Sequence, residues 1–249
     1  MKICIVAEGC YPYGSGGVSS WIDSIIRAFP EQEFLVLAIV TDRQTPCRRF
    51  ALSLPDNVTQ VHEAYLQDKD WGSNGKHLEE TAYAAVQSLV LGRDVDLDTL
   101  VHMFQTDSIS INALLMGEDF LHIVRERYDR EKTRPVFTDF LWSFRSLLLP
   151  MLTVLQTEVP RADCYHCLST GYAGLLGCMG KILHGGAMLL SEHGIYTRER
   201  EEEIIRAEWI KKECKGFWRR HFHLLAELAY QRADAVTSLF ARARAVQID

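Results

Sequence analysis

Ile3-Cys4-Ile5-Val6-Ala7, followed by Glu8-Gly9-Cys10-Tyr11-Pro12-Tyr13-Gly14-Ser15-Gly16-Gly17, decides the fold. The first five residues form an unbroken apolar run, β-branched at three positions. That is how a strand buried on both faces of a parallel sheet reads. A glycine-rich loop comes next. Val18, Trp21, Ile22, Ile25, Ile26 and Phe29 then recur at helical spacing until Pro30 ends the pattern. A second apolar run, Phe34 to Val40, follows. Strand, loop, helix and strand make a βαβ unit, so a right-handed crossover and a doubly wound sheet are expected.

Working outward, Val58 to His62 reads as a third strand, and Gly72-Ser73-Asn74-Gly75 as a turn or loop. From Thr81 to Leu155 the texture is helical. Its apolar stripes are Ala82, Ala85, Val86, Leu89 and Val90; then Ile111, Leu114, Leu115 and Phe120; then Phe140, Phe144, Leu147, Leu148 and Met151. With no Pro/Gly/Ser linker flanking it, this stretch, about residues 66–157, is expected to pack on the sheet as a helical insertion. After Pro160 the alternation resumes. Strands are expected over Ala162 to Ser169, Ala187 to Ser191 and Ala235 to Phe240. Helices are expected over Tyr172 to Leu183, from the charged run Thr197 to Glu203, and through Phe217 to Ala229. The fold class is therefore α/β, a Rossmann-like, doubly wound, mostly parallel sheet with a helical insertion, and one domain over residues 1–249.

Composition narrows the function. The chain has 249 residues, 47% of them hydrophobic, enough apolar side chain for a large core and against disorder. Its 27 Lys and Arg against 33 Asp and Glu leave a net charge of −6, which speaks against a dedicated nucleic-acid binder. Seven cysteines, an odd number and several within strand-like runs, fit a reduced, intracellular setting. The N-terminus lacks the long apolar region of a signal peptide. The most apolar piece, Leu147 to Leu155, falls short of a membrane span and is read as broken by Pro150.

Two segments carry candidate chemistry. In Gly14-Ser15-Gly16-Gly17, glycines allow backbone N–H groups to approach a phosphate at a helix N-terminus. The alternative is a tight turn that needs left-handed glycines. The dinucleotide fingerprint fails at Ser19, and no Gly-Lys-Ser/Thr makes a P-loop. The second segment is Ser191-Glu192-His193-Gly194-Ile195-Tyr196-Thr197-Arg198-Glu199-Arg200, at the carboxyl end of another expected strand and so on the same crevice. His193 offers a hydrogen bond or a proton near neutral pH. Arg198 and Arg200 offer forked donors to a phosphate or carboxylate. Glu192 and Glu199 are bases or partners of those arginines. The competing reading is a helix start with Thr197 as N-cap and solvated arginines.

Weaker signals read as structure. Cys164 and Cys167 have metal-ligand spacing but fall on opposite faces of a strand, with no companion pair. His184-Gly185-Gly186 has no nucleophile elbow to serve. His166 reads as a satisfied strand histidine, and His221 and His223 point to different faces of a helix. Lys211, Lys212, Lys215, Arg219 and Arg220 form a basic helix, either a solvated face or a membrane or partner contact.

Tyr11-Pro12-Tyr13-Gly14-Ser15-Gly16-Gly17-Val18-Ser19-Ser20-Trp21 resembles the glycine-rich loop of retaining GT-B glycosyltransferases. Ser191 to Arg200, His166 to Gly174 and the tail Phe240 to Ile248 resemble the PelF-type enzymes of Pel exopolysaccharide synthesis, so the likeness covers essentially the whole chain. It implies a bacterial, metal-independent family-four hexosyltransferase with no cofactor, which uses a UDP-sugar donor and a polysaccharide acceptor. It further implies a cytoplasmic enzyme, peripheral at the inner membrane, with a membrane synthase complex as partner. Within that likeness Gly16 and Gly17 approach the donor phosphates. His193 contacts the donor sugar as the catalytic residue, and Tyr13, Glu192, Arg198 and Arg200 contact substrate. The chain then corresponds to the N-terminal, acceptor-side half of a GT-B fold. The nucleotide pocket and its E-x7-E motif are expected beyond Asp249, and this half alone is expected to be inactive. Two rivals stand beside it. One is a non-catalytic interaction domain docking through the insertion and the basic helix. The other is a nucleotide-binding oxidoreductase, which the failed fingerprint disfavours.

Overall fold

The computed structural model describes residues 1–43, 48–67, 77–106, 109–132 and 134–248. The first strand, β1 (Lys2–Glu8), leads through the glycine loop into α1 (Gly17–Ala28), then β2 (Glu33–Asp42) and β3 (Val58–Gln67). Five helices follow: α2 (Glu80–Leu91), α3 (Leu97–Thr106), α4 (Ile111–Met116), α5 (Glu118–Asp129) and α6 (Phe137–Leu155). The chain re-enters the sheet as β4 (Cys164–Cys167), then α7 (Tyr172–His184), β5 (Ala187–Glu192), α8 (Tyr196–Arg206), a short 3-10 turn at Lys212–Cys214 and α9 (Lys215–Arg232). It continues with β6 (Ala235–Ser238) and α10 (Ala241–Ile248).

The six strands form one sheet in the order β3-β2-β1-β4-β5-β6, and every neighbouring pair runs parallel. This is the doubly wound Rossmann order, and it reverses direction between β1 and β4. Right-handed crossovers then dictate which face each helix covers. The β1–β2 crossover puts α1 on one face. The crossovers running the other way put α7, α9 and the insertion helices on the opposite face. The two cores follow from that. On the α1 side, Ile5, Ala7, Phe34, Val36 and Ala38 meet Ile22 and Ile26. On the other side, Cys4, Val6, Leu35, Tyr165, Met188 and Leu190 join residues of α2 to α7 and α9 in one continuous cluster. The insertion therefore shares its core with the sheet.

Several local expectations change. Pro150 lies inside α6 and does not end it. It lacks the N–H that would bond back one turn, yet the flanking Leu147, Leu148, Met151, Leu152, Val154 and Leu155 are all buried and hold the helix through that gap. Thr197 is not an N-cap: α8 starts one residue earlier, after Ile195, which makes no side-chain capping bond. The expected final strand stops at Ser238, and Ala241 to Ile248 is helical. The Gly72–Gly75 turn lies outside the described residues. Among the described residues no helix is long and apolar enough to cross a membrane.

Candidate functional site

The carboxyl ends of β1, β4 and β5 meet at the point where strand order reverses, the place where open α/β sheets form a crevice. Three loops converge there: Gly9–Gly16 after β1, Leu168–Gly171 after β4 and His193–Ile195 after β5. The sheet's alternation sorts their side chains onto two sides.

On the α1 side, the rings of His193 and Trp21 meet edge-on with centroids 4.5 Å apart. Trp21 stands one turn after Gly17, so α1 links the glycine loop to the histidine. His166 lies 5.8 Å from the same indole. Its Nε2 is 2.7 Å from Ser191 Oγ, which is 2.6 Å from Thr237 Oγ1. Burial and nearby His193 push His166 down to about 4, so its imidazole is neutral near pH 7. Burial also lowers His193, and its Nε2 is buried without a hydrogen-bond partner among the described residues.

Gly16 and Gly17 are glycines the fold itself does not require. Gly16 is extended (φ 161°), Gly17 is not in the left-handed region, and a Cβ on either would meet no atom of the described residues within 4 Å. The tight-turn reading thus fails for both. What the missing side chains leave is open space before the N-terminus of a twelve-residue helix, where N–H groups and the helix dipole favour an anion.

On the α7–α9 side, Glu8 closes β1 and Arg200 comes from α8, 3.4 Å apart. Burial pushes the Glu8 carboxyl up, and Arg200 and Ser169 pull it back. Arg200 also reaches Glu203 at 2.7 Å and lies over the Tyr196 ring. Glu192 is 3% exposed and turned into the protein. It accepts from Thr170 Oγ1 at 3.0 Å, from the Tyr196 N–H at 3.2 Å, from Gln247 Nε2 at 2.7 Å and from the Tyr230 hydroxyl. Its carboxylate caps the start of α8 and anchors α10.

The remaining candidates lie apart. Arg198 is exposed on the outer side of α8, with Glu202 4.0 Å away. Tyr13 packs on Phe50 and leans towards Glu63, beside the Arg48–Glu63 ion pair at the β2–β3 edge. Glu199 approaches Gly194. Trp21 and His166 belong to the crevice although their sequence pattern marked one as helix core and the other as strand filler. Only the register of β4 and β5 and the first turn of α1 bring them to His193. Among the described residues no group of three or more His, Cys, Asp or Glu is arranged to hold a metal ion.

The basic helix is largely paired within the molecule. Lys211 bonds Asp139 at 2.6 Å, Arg219 bonds Glu201 at 2.8 Å and Arg220 bonds Glu131 at 2.6 Å. Lys215 donates to the Ile205 carbonyl.

A search of curated proteins gives no match. A family model described as "Domain of unknown function (DUF3492)" matches residues 1–249. With a parallel sheet in Rossmann order and a family match along its entire length, the chain belongs to the DUF3492 family.

Proposed function

We propose that this chain is the acceptor-side half of a retaining GT-B glycosyltransferase of PelF type, acting with a UDP-sugar in exopolysaccharide synthesis. The observation that supports it is the pair Gly16 and Gly17. They are glycines without an internal reason, on the switch-point crevice, opposite His193 with its unpartnered ring nitrogen. In this reading the α1 N-terminus faces the donor diphosphate and stabilises the charge that grows as the sugar C1–O bond breaks. The acceptor hydroxyl forms the new bond to C1 and gives up its proton to the leaving phosphate side. No metal is needed, because the helix dipole and basic side chains take up that charge.

His193 orients the donor sugar, and its edge contact with Trp21 fixes the ring. Glu192 is a positioning residue that holds the β5–α8 turn carrying His193. Arg200 lines the crevice with Glu8, whereas Tyr13 and Arg198 lie apart from it and take no part in this reading. The enzyme works at the cytoplasmic face of a membrane complex, and the remainder of the cleft comes from a second domain. The rival docking-domain reading rests on the insertion and the basic helix, three of whose cations hold carboxylates of the same molecule.

The test is release of UDP from UDP-sugars by the intact protein. His193→Ala is expected to lower turnover by about 10²-fold or more. An unchanged rate in a folded His193→Ala protein would remove the assignment.

A further inference from the structure

A cavity of about 680 Å³ opens between α2, α5, α6 and α9, and none of its residues belongs to the crevice loops. That volume is far larger than one phosphate ion and falls within the about 300–1,000 Å³ range of small-molecule sites. Its floor includes Phe144, Leu148 and Phe217. Its walls carry Arg93, Arg127, Arg130, Lys132 and Arg220.

The electrostatics of these walls are incomplete. Glu131 is shared by two guanidinium groups, Arg127 at 2.8 Å and Arg220 at 2.6 Å. Arg127 Nε is buried without a partner, and burial together with Arg220, Arg93 and Arg130 holds this guanidinium below its usual range. Among the described residues the side chains of Arg93 and Lys132 make no hydrogen bond or ion pair. The lining carboxylates Glu213 and Glu227 form no ion pair with these cations. At the base stands His221, 6% exposed, whose Nε2 is buried with no partner among the described residues. A buried polar atom left unpaired costs free energy unless something in the cavity meets it.

We propose that this cavity binds a soluble phosphate monoester. Arg93, Arg127 and Arg220 would clamp the phosphoryl group, His221 would bond one of its oxygens, and the organic part would rest on Phe144 and Phe217. Arg127 also donates to the Leu91 carbonyl at 3.0 Å and Arg130 pairs with Glu126; a dianion with three free oxygens matches several guanidinium groups lining one cavity better than a single carboxylate does. The inference stands independently of the transferase reading, because it uses none of the crevice residues.

The experiment is calorimetric titration of the protein with phenyl phosphate and with inorganic phosphate. Wild type is expected to bind phenyl phosphate saturably with Kd below about 1 mM and inorganic phosphate more weakly, both weakening with added salt. Arg93→Gln removes no hydrogen bond or ion pair among the described residues, and it is expected to raise Kd about threefold or more. Arg93→Gln with Arg220→Gln should raise it about tenfold or more, and His221→Phe, which keeps the ring but loses the nitrogen, should also weaken binding. Gly17→Val should leave this binding unchanged. The proposal is overturned by absence of saturable binding, by wild-type affinity in Arg93→Gln, or by loss of binding in Gly17→Val. Binding to phosphatidic acid vesicles with none to phenyl phosphate would likewise overturn it, in favour of a lipid headgroup.

Discussion

Glu8 at the end of β1 and Arg200 in the second turn of α8 form an ion pair, 3.4 Å apart, across the point where the strand order reverses. They are 192 residues apart in sequence, so the pair ties the first strand to the last third of the chain. The Glu8 carboxyl is pushed up by burial and pulled down by the guanidinium.

Arg200→Gln removes the counter-charge and leaves that carboxylate desolvated. The expected loss is about 1–3 kcal/mol of unfolding free energy near neutral pH. The sign with pH follows from Glu8's raised value: its folded form holds the proton more tightly than the unfolded chain. Its contribution is therefore full below the unfolded value and is lost as pH rises. Without Arg200 that fall steepens, so urea midpoints of Arg200→Gln should trail wild type more at pH ~7 than at pH ~4.5.

The two buried histidines act in the opposite sense. His166 and His221 are pushed down to about 4 by burial, with His193 adding to the effect at His166. A lowered histidine contributes stability above its ordinary value near 6.5 and loses it as pH falls towards 4. Acid titration followed by circular dichroism should show a stability decline across that window, and His221→Phe should make it shallower.

Gly171 lies against Tyr196: a Cβ there would sit 2.1 Å from ring carbon Cζ. The ring is buried and cannot step aside without disturbing α8. Gly171→Ala is expected to cost about 1–3 kcal/mol in chemical denaturation. Gly16→Ala meets nothing and should be neutral or stabilising by about 0.4–1 kcal/mol.

Glu192→Gln puts an amide where four donors converge, so at least one donor loses its acceptor. A cost of about 1–3 kcal/mol is expected. Hydrogen exchange should rise at the start of α8 and in α10, the two segments that Glu192 holds.

The alternating α/β pattern, the sheet's parallel character and the glycine loop were legible because each is a local property of apolar runs and glycine placement. The path of α6 through Pro150 was not. There, burial of Leu147, Leu148, Met151 and Leu152 outweighs one missing backbone bond, a tertiary effect that spacing does not reveal. The places of His193 and the Gly16-Gly17 pair at the crevice were readable from their positions after strands. Glu192 was legible as a crevice-end residue, but its inward turn was not, since Tyr230 and Gln247 approach it from 38 and 55 residues away. Trp21 hid in an amphipathic stripe, where an indole at the edge of the stripe looks the same as one in the core.

The most direct test of the crevice is Gly17→Val in the intact protein, with UDP-sugar turnover and thermal midpoint measured on the same sample. A Cβ at this position meets no atom of the described residues within 4 Å, so the midpoint should stay within about 2 °C of wild type. Turnover should fall about 10²-fold or more, because the side chain fills the space where the donor phosphates approach the helix. A folded Gly17→Val protein that transfers sugar at the wild-type rate would contradict the account.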